Sequence, residues 1–375
     1  VAKTDEMEAN MSFSIKQVYY VLISFFGVVL ILFFGRTVIV PLAFALLISF
    51  ILYPVSRFIE SKGVARMWSI LWTMLSVAIL LMGIIFLFSS QIVKIVQEFD
   101  DFRNRIHEIL ATVTTFVNQK IPILPEVKEE DLMQMSKEWF SSKSDGLVKS
   151  TLNGTTAFIT GLVLTIIYTF LILLYRHGLK CAFVNFAAED KRESYAHMIN
   201  DMQRVGQKYL TGMFTLILIL GVLNSIGLLA LGIDYAIFFG FLAAFLAIIP
   251  YVGTMTGGAI PTIYAFMTYD SIWYPLGVIL IFWFVQILEG NFLSPKIVGG
   301  NLNLNALVAI LALIAGGLIW GIPGMILFLP YTAVLKVACE HYKELKPVSY
   351  VLRDDLYNNE RSGKLKKKVN KIFKK

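Results

Sequence analysis

Of the 375 residues, 57% are hydrophobic and only 16% are charged, with a mean hydropathy of +0.70. Soluble domains run about 45–50% apolar and ~25% charged, and a compact body in water keeps a polar skin, so an ordinary soluble chain is excluded and lipid is the solvent that fits. The net charge of +7 would suit a nucleic acid if it were spread over a folded surface, but residues 336–375, with twelve Lys and Arg against five Asp and Glu, carry all of it. The remainder is a neutral membrane body, with no nucleic acid as partner.

Apolar runs cover residues 18–34, 38–53, 67–90, 157–175, 209–233, 235–269, 272–288 and 304–335. A helix crosses the hydrocarbon core in roughly 17–25 residues, which predicts an all-α polytopic membrane protein with about eight transmembrane segments and some amphipathic helices. The short second run, with Pro41 near its start, is read as the return arm of a tight helical pair with the first. No A-x-A cleavage site follows the first run, so it is expected to stay as a helix. Cys181 and Cys339 cannot build a disulfide scaffold, and His107, His177, His197 and His341 lack ligand spacing. No cofactor or metal is implied.

Lys and Arg in short loops set orientation. Arg57, Lys62 and Arg66 follow the second run, and Arg176, Lys180, Lys191, Arg192, Arg204 and Lys208 follow the fourth. The alternate turns hold only Arg36 or Asp234. Both termini are thereby expected in the cytoplasm. The organisation reads as a cytoplasmic N-terminus (1–17), three membrane helices (18–90), a polar helical segment expected to be extracytoplasmic (91–148), a transport core (149–337) and a basic cytoplasmic tail (338–375). Within 91–148 an unbroken stripe of Ile92, Ile95, Phe99, Phe102, Ile106, Ile109, Val113 and Phe116 steps by three and four, the seam pattern of packed helices. It either packs on its own chain or makes an oligomer contact. Residues 120–143 read as a loop plus a short helix, and 189–208 as a cytoplasmic amphipathic helix with Tyr195, Met198, Met202 and Val205 on one face.

Two runs exceed one crossing. Residues 235–269 would reach about 52 Å and 304–335 about 48 Å, against a core of ~30 Å. Both carry helix breakers: Pro250, Gly253, Gly257, Gly258 and Pro261 in the first, Gly316, Gly317, Gly321, Pro323, Gly324 and Pro330 in the second. They are either kinked spans whose glycines allow close packing or re-entrant hairpins facing a cavity. Between them lies QILEGNFLSPKIVGG, with Pro295 and Gly299 as further breakers. Its Glu289 is a carboxylate at the end of an apolar run, which usually faces a cavity or a partner. Lys296 could pair with it, and Gln286, Asn291 and Asn224 could add hydrogen bonds. Glu289 thus either binds a cation or proton within a substrate site or pins the broken loop. Asp234 and Asp270 end apolar runs, where a carboxylate is ordinarily solvated. No nucleotide loop, dinucleotide turn, nucleophile elbow or zinc-protease pair occurs in the sequence, so the chain is read as no enzyme and as lacking an ATP motor.

The stretches FGFLAAFLAIIPYVGTMTGGAIP, EGNFLSPKIVGG and LVAILALIAGGLIWGIPGMILFLP resemble the autoinducer-2 exporter family of bacterial membrane proteins. The match spans about 206–337, and the N-terminal half agrees in layout. The resemblance implies a polytopic inner-membrane protein that forms homo-oligomers, pentamers among them, and exports autoinducer-2 or exchanges Na⁺ or Li⁺ for protons. Its signature positions here are Pro250, Gly253, Gly257, Pro261, Glu289, Asn291, Pro295, Gly299, Gly316, Gly317, Gly321 and Gly324. The position after Gly299 is Gly300, where members often have a basic residue, which speaks against an anion site.

The leading expectation is gradient-driven export of a small polar solute by alternating access. The alternatives are a cation/proton antiporter and a non-transporting oligomeric scaffold. Between Arg361 and Lys375 lie eight basic residues and no acid, with Leu365, Val369, Ile372 and Phe373 at helical spacing. Such a segment either binds anionic lipid, at ~1 kcal/mol per basic residue, or is a solvated tail.

Overall fold

The computed structural model describes residues 15–97, 129–250, 252–299, 304–342 and 345–354. Among these every regular element is helical, so the chain is an all-α polytopic membrane protein. Six helical stretches are long and apolar enough to cross a bilayer: Arg36–Ser61, Arg66–Ile95, Thr156–Asn185, Glu189–Ala230, Trp273–Val298 and Ile322–His341. Shorter apolar helices account for the rest of the apolar sequence.

The first helices are α1 (Ile15–Phe34), α2 (Arg36–Glu60), α3 (Arg66–Gln97) and α4 (Glu129–Asn185). The expected tight pair between the first two runs does not form. Gly35 donates to the Ile31 carbonyl and its own carbonyl accepts from Ile39, so helical bonding runs through the glycine and the chain bends there without doubling back. These runs therefore do not make the opposed crossings used in the orientation argument. α4 is also longer than expected, because the polar stretch from Glu129 joins the fourth apolar run in one 57-residue helix. α2, α3 and α4 meet around Leu52, Ile70 and Leu173. Beside that cluster Ser69 donates to the Ser56 carbonyl at 2.5 Å, and Arg176 pairs with Glu60 while lying over the Tyr53 ring.

A 3₁₀ turn, Glu189–Lys191, leads into α5 (Arg192–Ala230), a 39-residue helix that fuses the expected amphipathic segment with the fifth apolar run. It is the central post. Tyr209, Leu216 and Leu220 of α5 share one core with Ala244, Val285, Val298 and Ala333. α6 (Ala236–Leu246) and α7 (Val252–Thr268) follow, then α8 (Trp273–Leu288), two π-helical turns (Glu289–Leu293 and Pro295–Gly299), α9 (Ala306–Trp320), α10 (Ile322–His341) and the short α11 (Lys346–Leu352).

Both overlong runs fold as helix–turn–helix hairpins, not as single kinked spans. In the first, α6 and α7 would each extend about 16 and 25 Å. Rings of Tyr235 and Tyr264 meet near the base, and an added Cβ on Gly257 would stand 2.9 Å from Ala243 Cα nearer the tip. In the second, α9 and α10 turn on Gly321, whose φ of 66° and ψ of −140° fit a residue without Cβ. Gly316 and Gly324 then face each other across the hairpin, and Trp320 meets Phe328.

Most of the expected breakers prove to be packing residues. The first break covers 247–250 and includes Pro250, whereas Gly253, Gly257, Gly258 and Pro261 lie inside α7. Gly316 and Gly317 lie in α9, Gly324 in α10, and Pro323 in the first turn of α10, where its missing N–H costs nothing. Pro295 and Gly299 bound a π turn. Without water to drive helices together, lipid-embedded association depends on close contact of small residues, and these glycines supply it.

Each hairpin is closed at its base. Tyr269 Oη accepts from the Asp234 N–H at 2.8 Å and reaches Asp234 Oδ2 at 2.9 Å, and its ring stacks on Tyr274. Asp234 is thus a structural anchor. At the second base Asn305 caps α9, accepting from Val308 N and donating to the Val351 carbonyl of α11. Arg353, just beyond α11, reaches back to Glu340 of α10 with two bonds of 3.0 and 2.9 Å.

Of the expected oligomer stripe, Ile92 is exposed and Ile95 packs against the cluster around Phe238 and Leu228. Phe99, Phe102, Ile106, Ile109, Val113 and Phe116 lie outside the described residues, as do Gly300 and the lipid-binding stretch expected at Arg361–Lys375.

Gly324→Ala sets a methyl group against the Gly316 carbonyl, backbone that cannot step aside. Overpacking of this kind costs about 1–3 kcal/mol, so the melting temperature in detergent should fall. Gly83→Ala, with nothing near its added methyl, should be neutral or slightly stabilising; equal losses in both would refute the packing role.

Candidate functional site

A small, half-open pocket, with enclosed room for little more than a water molecule, lies where the first hairpin meets α5 and α8. α5 contributes Leu220 and Asn224, one turn apart. α6 and the following turn give Ala243, Ala244 and Ala247, and α7 gives Thr254. α8 gives Phe282, Val285 and Gln286, with Glu289 at the next turn. The spacing i, i+3, i+4, i+7 is one helical stripe, so α8 offers the pocket a face that changes from apolar to polar toward its end. Leu220 is ten residues from the Ala230 end of α5, about 15 Å, and eleven from Tyr209. The pocket therefore sits near the middle of the apolar part of α5.

Small residues make the space. The Gly240 backbone lies against Ser225, and Gly221 against the Phe241 ring, so α6 seats closely on α5. Three alanines then line the wall where larger side chains would fill it. On the other side Gly227 accepts the Ile281 side chain and fixes α8 against α5. Beyond Leu288 the helix widens into π turns. Pro295 has no N–H for the ladder, and Asn291 Nδ2 donates to the Ile287 carbonyl at 3.0 Å. Single π turns inside helices often occur at functional positions.

Three of the five expected ligand residues meet here: Asn224, Gln286 and Glu289. The Gln286 amide and the Glu289 carboxyl lie one turn apart on the pocket face of α8. Asn224 is buried, and its Oδ1 has no hydrogen-bond partner among the described residues. The other two are placed elsewhere. Asn291 is exposed and turned onto its own helix. Lys296 is exposed, and among the described residues no ion pair joins it to Glu289. Seven positions on from Glu289, it leaves α8 through the widened turns and loses the stripe. The pocket lining holds one carboxylate and no Lys, Arg or His. No group of three or more His, Cys, Asp or Glu that could hold a metal occurs among the described residues.

Sequence reasoning missed Leu220, Ala243, Ala244, Ala247, Thr254 and Phe282. The available signal was the placement of alanines at i, i+1 and i+4 in FLAAFLA, just before the break. It reads as ordinary helix until the hairpin turns that face toward Asn224.

The family model described as AI-2E family transporter matches residues 20–344. The chain is 28% identical to "Putative transport protein YrrI" of Bacillus subtilis (strain 168), covering 83% of this chain and 88% of the relative. It is 30% identical to "Putative transport protein YueF" of the same organism, covering 81% and 84%. To "AI-2 transport protein TqsA" of Escherichia coli (strain K12) it is 26% identical, covering 86% and 91%.

Lys296→Ala should leave the rate at which a hydrophobic carbodiimide labels Glu289 unchanged, whereas Gln286→Leu, which replaces the neighbouring polar amide of the pocket by an apolar side chain, should alter it. Mass spectrometry of the labelled protein reads both, and an equal effect of the two variants would place Lys296 at the carboxylate.

Proposed function

The chain belongs to the AI-2E transporter family, whose members are membrane transporters, and on that premise we propose that it exports a small polar solute of the AI-2 kind across the bacterial cytoplasmic membrane. The observation that carries this reading is the pocket at mid-depth in α5, where Asn224, Gln286 and Glu289 converge beside the turn of a two-armed hairpin. Polar groups so placed are expensive in a bilayer and ordinarily mark a transport path. Broken helices near the middle of the membrane are where secondary transporters hold substrate and coupling ion.

In the proposed cycle the first hairpin moves against α5 and α8, opening the pocket alternately to the two sides. Glu289 is the coupling group. It takes a proton from the side of higher activity and releases it on the other, and its charge sets whether the emptied pocket can close. Closing an ionised carboxylate into an apolar setting costs several kcal/mol, so an empty, deprotonated carrier stays open. The Gln286 amide lines the cavity one turn before the carboxyl. With one carboxylate in the pocket, the arrangement favours one proton per cycle.

Purified protein in liposomes under an imposed pH gradient provides the test, with AI-2 flux as the readout. Glu289→Gln should reduce gradient-driven flux to the level of empty liposomes, with an unchanged gel-filtration profile and melting temperature. Undiminished flux in that variant would remove Glu289 from the coupling step.

A further inference from the structure

The pattern of α11 is inverted for a helix in water. Of its seven residues, Lys346–Leu352, Ser349 alone is buried, at 2% exposure, and its hydroxyl donates to the Lys346 carbonyl at 2.8 Å. The valines face out instead: Val348 is 44% exposed and Val351 60%. Leu345, just before the helix, is exposed as well. Steps of three set Leu345, Val348 and Val351 along one outward edge. A helix bordered by water turns its valines inward and leaves serine outside; here the two have exchanged places.

The strap is fastened across the base of the second hairpin. Asn305, the cap of α9, donates from Nδ2 to the Val351 carbonyl and from its backbone N–H to the Leu352 carbonyl at 3.1 Å, while Arg353 binds Glu340 on the other arm. α10, with 20 residues and a length of about 30 Å, matches the thickness of the hydrocarbon core. Its His341 end and the strap beside it therefore stand at a membrane surface. The outward face of α9 is an apolar stripe of Leu307, Leu311, Ile314 and Leu318, all strongly exposed, and in a membrane protein such a stripe meets lipid. Its first member, Leu307, lies two residues from the Asn305 that holds Val351. The edge of α11 thus carries the lipid-facing stripe on past the end of α9, to the level of the headgroups. Tyr350 is exposed there with the Arg353 guanidinium 5.4 Å from its ring, and tyrosine is favoured at that depth. Lys346 is the one basic residue of the helix, and Arg353 is engaged by Glu340, so the attraction is apolar and not one of charge.

We infer that α11 is an interfacial anchor whose Leu345–Val348–Val351 edge beds in the boundary between headgroups and acyl chains and fixes the base of the second hairpin at the membrane surface. The occupant of this edge is lipid, not a second copy of the chain or another segment of it. Apolar faces of this kind settle about 5–10 Å into the boundary layer. The contact is independent of the transport reading of the pocket.

The test uses the full chain with Cys181→Ala and Cys339→Ala, reconstituted in phosphatidylcholine nanodiscs. A bimane label is placed in turn at Val348→Cys, Val351→Cys and Lys346→Cys, and each labelled protein is checked by gel filtration. Quenching is measured with aqueous iodide and with a lipid carrying a doxyl group near the headgroup end of its acyl chain. The doxyl lipid should quench the labels at 348 and 351 more than the label at 346, by about twofold or more, and iodide should show the opposite order. Adding Val351→Asp should remove lipid quenching of the label at 348, whereas Val351→Leu should keep it. Iodide quenching at 348 and 351 equal to that at 346 places the edge in water and overturns the inference. Shielding from both quenchers means that protein covers the edge, a second copy or another part of the chain, and overturns it too. So does lipid quenching that requires added phosphatidylglycerol, since the contact would then be one of charge.

Discussion

The fold depends on how closely backbones approach one another along α5. In lipid the apolar side chains gain little by leaving their solvent, so helices adhere through contact and through hydrogen bonds between them. Gly240 against Ser225, Gly221 beneath Phe241 and Gly227 beneath Ile281 bring α6 and α8 to the post at short range, and Gly257 against Ala243 brings α7 to α6. The same small residues that pull the helices together leave a gap where alanines face Asn224 and Glu289. Packing and cavity thus come from one set of choices. A larger residue at the glycines would open the bundle, and larger residues at the alanines would fill the site.

Polar groups divide into two kinds by location. At the ends of the helices they pair with one another: Tyr269 with Asp234 at one base, Asn305 with Val351 and Glu340 with Arg353 at the other, and Arg176 with Glu60 between α2 and α4, where the second terminal nitrogen of Arg176 has no hydrogen-bond partner among the described residues. These contacts hold loops and helix ends in register, where water can share the cost of burial. At mid-depth the pattern changes. Gln286 and Glu289 lie one turn apart on the pocket face of α8, and Asn224 has an oxygen with no hydrogen-bond partner among the described residues.

Long, one-signal features were legible in the sequence: the all-helical membrane class, most of the long apolar helices and the two runs too long for one crossing. Glu289, Gln286 and Asn224 could also be found, because a polar residue amid apolar neighbours stands out whatever the tertiary arrangement. The errors share a cause. Glycine and proline break helices in water-soluble chains, so Gly253, Gly257 and Gly324 read as breaks, yet a helix in lipid keeps its hydrogen bonds past them and uses the missing side chain for contact. Lys296 was paired with Glu289 by sequence distance alone, which the π turns after Leu288 upset. The expected pair of α1 and α2 failed at Gly35, where sequence cannot tell a bend from a reversal.

The two hairpins reverse direction by different means. Among the described residues the first spends 247–250 on its turn, while the second turns on Gly321 alone. Ala247, Ile248 and Ile249 bring two soft torsions each and Pro250 one, against two for a single glycine. The second hairpin is also packed arm to arm where the backbones of Gly316 and Gly324 meet, and strapped at its base by α11. In mechanical terms the first is a compliant leaf and the second a stiff prong, so strain introduced anywhere in this half of the protein will collect in the leaf. That is the element whose turn borders the pocket, and its compliance makes the cavity the softest point of an otherwise rigid frame.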